Sequence, residues 1–116
     1  MRRSRIIPVL LTAASLACGV DVPAHGEFVV GMSRAEISLR YGEPARTQVL
    51  TKSGDSIWGP IESFWPDVPM GATVEIWAFQ STLDGQPGQT ELYFIDDADT
   101  VDGIGFHIEG AVYESS

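Results

Sequence analysis

Cysteine occurs once in this chain, at Cys18, so no intramolecular disulfide can form. Histidine occurs twice, at His25 and His107, which are 82 residues apart in sequence. No serine stands in a recognisable arrangement with His and Asp, and no glycine run follows a phosphate-loop pattern. The residue types that catalysis draws on are largely missing, so the chain reads as a non-enzyme with no cofactor and no small-molecule substrate. Basic residues are few, seven against sixteen acidic. Nucleic acid needs Lys and Arg for its phosphates, and this balance excludes it. Apolar runs are also short, well under the about 20 residues a membrane-spanning helix requires.

What is present begins at the N-terminus. Arg2, Arg3 and Arg5 precede an uncharged, mostly apolar stretch from residue 6 to residue 17. A charged start, a short apolar run and small residues before a cut form the pattern of a secretory signal. Ala14-Ser15-Leu16-Ala17-Cys18 is similar to a bacterial lipobox, in which the cysteine receives acyl chains. A lone exposed thiol is a liability in an oxidising compartment, and lipidation of Cys18 removes it. The expected partners are therefore a lipid bilayer, through Cys18, and another envelope protein. All sixteen acidic residues lie beyond residue 17, with four of the seven basic ones, so the mature chain carries a formal charge of −12. That charge disfavours adsorption of the folded surface onto anionic lipid. Gly19 after the cysteine favours the outer membrane in a cell with two; a periplasmic or secreted form is the alternative location.

With 116 residues there is room for one domain. The expected division is a signal over 1–17, a lipidated tether over 18–26, a folded domain over 27–107 and a tail over 108–116. The strongest local signal spans residues 31 to 44. Ser33 is an N-cap, Glu36 three residues later completes a capping box, and Met32 with Ile37 forms a hydrophobic staple. Gly42 suits a positive-φ helix end and Pro44 forbids continuation. Ile37 and Tyr41 share one face, turned toward a core. A helix this short must dock to persist. Strands are expected at 45–51 as an edge, then at 73–80, 90–95 and 101–107, with turns at 84–88 and 96–99. Residues 60 to 65 read as one helical turn, with Pro60 at its start. The fold class is α+β: a short helix packed on a three- to four-stranded antiparallel meander, whose other face can stay wet.

Gly31-Met32-Ser33, Glu36-Ile37, Tyr41-Gly42-Glu43-Pro44, the strand around Trp77 and Leu92-Tyr93-Phe94-Ile95-Asp96 together resemble the SmpA/OmlA (BamE-like) domain of small bacterial envelope lipoproteins. The resemblance implies a non-catalytic scaffold or accessory factor in outer-membrane assembly. Residues 52 to 71 stand as an insertion between Pro44 and Trp77. Secreted inhibitors of β-lactamase are similar in fold, so a secreted inhibitor or ligand-sequestering module without a lipid is the alternative.

Two clusters invite a functional reading. Asp96, Asp97, Asp99 and Asp102 crowd one turn, but Val101 occupies the place of a third calcium ligand and no Glu follows at the right distance. A hairpin tip is the expected role, and no metal site is assigned. In the insertion, Trp58, Ile61, Phe64 and Trp65 fall three and four apart. They either close the core against the sheet or present a partner-binding knob, so Trp58, Phe64 and Trp65 are the candidate contact residues. Trp77, inside a strand, is expected in the core.

Overall fold

The computed structural model describes residues 22 to 109. Four strands, β1 (Arg46–Thr51), β2 (Thr73–Leu83), β3 (Gln86–Ile95) and β4 (Gly103–Ile108), form one antiparallel sheet in sequence order. The short helix α1 (Arg34–Tyr41) packs on one face, as an α+β meander requires. Both sequential turns use left-handed backbone. Asp84 and Gly85 have φ of 51° and 81°, a two-residue turn whose twist suits a hairpin. Because two residues suffice, Gln86, Pro87 and Gly88 extend β3 rather than belong to the turn. Asp96 and Asp97 have φ of 50° and 61°, and the Ala98 N–H donates to the Ile95 carbonyl at 3.0 Å.

The Asp-rich turn is held by its own carboxylates. Asp96 Oδ1 accepts from the Thr73 N–H at 3.0 Å, and Asp102 Oδ2 accepts from the Ile95 N–H at 2.8 Å. Among the described residues, no group of three or more His, Cys, Asp or Glu is placed to hold a metal ion.

Helix α1 starts where its motif places it. Ser33 has extended backbone, and its hydroxyl accepts from the Glu36 N–H at 3.0 Å. The return half of the capping box is not made: the Glu36 carboxylate turns to Arg40, one turn on, at 3.1 Å. A charged partner at i+4 wins over a neutral backbone donor. Gly42 ends the helix at φ 76°, with its N–H on the Ser38 carbonyl at 3.0 Å. The chain before the helix is clamped to the return segment between β3 and β4. Gly31 N–H donates to the Val101 carbonyl (2.9 Å), Val101 N–H to Met32 (2.9 Å) and Arg34 N–H to Asp99 (2.8 Å). Ser33→Ala should therefore cost about 1 kcal/mol and Glu36→Ala about 0.3–0.5 kcal/mol. Denaturant titration of the single and double variants should give losses that add, since the box is open. Coupling well beyond about 0.5 kcal/mol would mean that the return bond forms in solution.

Helix-side packing follows strand alternation. Ile37 and Met32 meet Phe28, Phe79, Leu92, Phe94 and Val101, all buried, and Tyr41 lies against this cluster. Trp77, expected in the core, is only half-buried at the rim. Its ring is tilted on Phe94 at 5.1 Å, its Nε1 donates to Glu75 Oε2 at 2.9 Å, and the Arg34 guanidinium covers it at 5.1 Å. Arg34 also pairs with Glu75 at 2.9 Å. Burial alone would raise the Glu75 carboxyl, but the Trp77 and Arg34 hydrogen bonds and the Arg34 charge outweigh it and hold the group below its ordinary range.

Two expected boundaries move. The tether is docked from Pro23 onward: the Thr82 N–H donates to the Pro23 carbonyl at 3.0 Å, and residues His25–Glu27 form a 3-10 turn. His25 adds contacts to this docking: its Nδ1 meets Thr90 Oγ1 at 2.9 Å and its ring stands edge-on to Phe106 at 5.2 Å. Burial there lowers its pKa from the ordinary histidine value. At the other end Ile108 completes β4, and the Glu109 N–H reaches the Pro87 carbonyl at 3.1 Å, so the domain runs past residue 107. The signal segment, Cys18 and residues 110 to 116 lie outside the described residues.

Candidate functional site

The sheet face away from α1 is not wet throughout. Val74, Ile76 and Tyr93 project from it into a second buried cluster with Ile61, Trp65, Val68 and Ala72, all from the insertion or its end. Two short 3-10 turns, Pro60–Ser63 and Trp65–Asp67, carry these residues in place of one helical turn. Pro66 blocks continuation of the first run and Pro69 follows the second, so neither grows into an α-helix. Phe64 stacks on Tyr93 with centroids 5.1 Å apart, and it fits because β4 presents Gly103 to it: a Cβ there would clash with the ring. Lys52 fastens the insertion from the strand side, its Nζ donating to the Trp65 and Val68 carbonyls.

This geometry divides the three aromatic candidates. Trp65 is buried in this core, 8% exposed, and Phe64 packs partly buried against it, so both are spent on covering the sheet. Their burial has a plain cause. A four-stranded sheet with Val74, Ile76, Tyr93 and Ile95 on one face needs a cover, and the insertion is the only apolar segment of the described chain placed to supply it. Trp58 is different. It is 42% exposed, and no other aromatic residue is among the exposed large hydrophobics of the described chain. Gly59 follows at φ 112°, a conformation that side-chain-bearing residues rarely adopt. Just before that turn, Ile57 packs against the second cluster while Trp58 is exposed.

Beyond the insertion, the same sheet face turns polar. Pairing registers place Gln80, Gln89 and His107 in one cross-strand row, and Ala78, Glu91 and Gly105 in the next, with Arg46 beside Ala78. Glu91, in the second row, is 5% exposed. Its Oε2 meets the Arg46 guanidinium at 2.6 Å, and its Oε1 accepts from the Tyr93 hydroxyl at 2.9 Å. Arg46 reaches Gln48 at 3.2 Å and Gln89 at 3.4 Å as well. Arg46, Gln80, Gly88, Gln89, His107 and Glu109 line a shallow pocket of about 290 Å³. Such a lining can hold a small polar molecule by hydrogen bonds. It offers one histidine and no hydroxyl or thiol nucleophile, and both Glu91 oxygens are already engaged.

The helix-motif residues occupy structural positions rather than a site. Met32 and Ile37 are buried, Tyr41 is partly so, Ser33 caps, and Gly31 and Gly42 take positive φ. The basin escaped the sequence reading. Its available signal was Glu91, a charge two residues before Tyr93 and four before Ile95 on what alternation makes one face. Among the described residues, no helix is long and apolar enough to cross a membrane. No protein-family model, curated protein or solved structure matches the chain.

Proposed function

We propose that this chain is a non-catalytic, lipid-anchored protein of the cell envelope whose domain binds another envelope protein. The accessory role implied by the SmpA/OmlA (BamE-like) resemblance is part of this reading. The observation that carries it is Trp58, an indole held outward on a segment whose neighbours Ile61, Trp65 and Val68 are buried. Tryptophan is among the residue types most enriched at interface hot spots. The signal-like N-terminus and Cys18 support the anchor. Only four residues lie between Cys18 and Pro23, which is docked on the sheet. An acyl chain on Cys18 would therefore hold the β2–β3 hairpin end within about 15–20 Å of the bilayer.

A second reading, a ligand-sequestering or inhibitory module without a lipid, has the polar basin in its favour. Three measurements test the two. Intact mass of the membrane-extracted protein should show acyl chains on Cys18, Cys18→Ser should shift it to the soluble fraction, and Trp58→Ala should retain its melting temperature while losing the co-purified partner. A hot-spot indole contributes about 2 kcal/mol or more to binding. A soluble wild-type protein with a bare thiol would end the lipoprotein reading. Unchanged partner recovery with Trp58→Ala would end the role of Trp58.

A further inference from the structure

Strand β1 is an open sheet edge. It pairs with β2 on one side, and the sheet order places nothing on the other. Its hydrogen-bond phase follows from one bond: the Lys52 N–H donates to the Ala72 carbonyl at 2.8 Å. Antiparallel bonding alternates, so Leu50 and Gln48 also turn their backbone groups to β2. The N–H and C=O groups of Thr47, Val49 and Thr51 then point outward. All three residues are exposed, Val49 at 64%. Natural edges are usually blunted by proline, a bulge or an outward charge. None of these devices occurs between Thr47 and Thr51. The other edge strand, β4, lies beneath Pro60 and Phe64.

We propose that β1 pairs with β1 of a second copy of this chain, antiparallel about a two-fold axis at Val49, to join the two sheets into one of eight strands. The sequence of the edge is self-complementary in that register. Val49 faces Val49 of the second copy, and Thr47 faces Thr51 in both directions. These are hydrogen-bonded pairs of β-branched side chains, which are favourable cross-strand neighbours. Charge points the same way. The chain has sixteen acidic residues, yet none lies between Glu43 and Asp55, so two edges can approach without opposing carboxylates. The two cations of the strand region do not oppose the pairing. Arg46 is neutralised by Glu91 at 2.6 Å, and the Lys52 ammonium is turned onto the Trp65 and Val68 carbonyls.

The test uses the mature chain with Cys18→Ser, which leaves no native thiol. Sedimentation should show a concentration-dependent dimer, tightening as salt rises because both copies are acidic overall. Val49→Pro removes the two central backbone bonds of the pair while leaving the β2 side of the strand intact. It should weaken dimerisation roughly 10- to 100-fold. Val49→Lys, which opposes two like charges, serves as a second variant should the proline disturb folding. Register is read by oxidation. Val49→Cys should cross-link readily, since hydrogen-bonded antiparallel partners stand about 5.5 Å apart at Cα, within disulfide reach. Thr47→Cys alone should cross-link poorly, and a mixture of Thr47→Cys and Thr51→Cys chains should cross-link well. A Cys18→Ser chain with the native edge that stays monomeric up to about 1 mM overturns the proposal. So does a dimer indifferent to both Val49 variants in folded protein, or one that weakens with salt.

Discussion

Trp65→Ala is expected to remove about 3–5 kcal/mol of stability, the range for emptying a buried aromatic site. Domains of this size hold about 5–15 kcal/mol in total, so the variant should melt far below the wild type or fail to fold. Trp65 shares a buried cluster with Ile61, Val68, Val74 and Ile76, and the Lys52 ammonium lies 5.2 Å from its ring centroid. Truncation removes the ring and also loosens the carbonyl that Lys52 grips. A conservative variant separates packing from polarity. The Trp65 indole N–H is buried without a hydrogen-bond partner among the described residues. Trp65→Phe leaves a smaller void and removes that unmet donor, so its loss should stay below about 2 kcal/mol. Thermal melts of the two variants check this. A Trp65→Ala protein that melts like wild type would mean that the insertion does not close the second core.

Arg46→Met should cost about 2–3 kcal/mol by stranding the Glu91 carboxylate, whose side chain is 6% exposed. The figure lies below the 3–5 kcal/mol of a fully buried pair because the Arg46 side chain is 38% exposed and partly screened. The Tyr93 hydroxyl still donates to Glu91, which softens the loss without replacing the charge. Removing both partners, as Arg46→Met with Glu91→Gln, should restore most of the stability, since no uncompensated charge remains. Chemical denaturation of the single and double variants gives the coupling directly. Equal losses in the single and double variants would show that Arg46 acts through packing on the sheet and not through Glu91.

The helix was legible because its signals are local. Ser33, Ile37, Gly42 and Pro44 each act within one or two turns, and the structure uses them at those positions. The strands were legible where β-branched and aromatic residues cluster, as in β2 and β3. Their ends were not, because Asp84-Gly85 closes its turn in two residues and Pro87 is tolerated within the hairpin. The open capping box at Glu36 depended on a competing partner at Arg40 that the motif alone does not weigh. Trp58, Phe64 and Trp65 could be grouped from spacing, yet their division between core and surface turns on Gly59 and on the flat surface that Gly103 leaves for Phe64. The basin was the least legible part. Arg46 and Glu91 are 45 residues apart in sequence and meet only because β1, β2 and β3 pair in a particular register.

The proposed role of Trp58 as a protein contact is open to site-specific photo-cross-linking in intact cells. A photoreactive side chain at Trp58 should capture one protein of defined mass in the envelope fraction. The same group at Leu39, which is 88% exposed on α1, should capture none at comparable yield. Capture at Leu39 equal to that at Trp58, or no adduct at Trp58 in a folded and membrane-localised protein, would mean that Trp58 is not a partner contact.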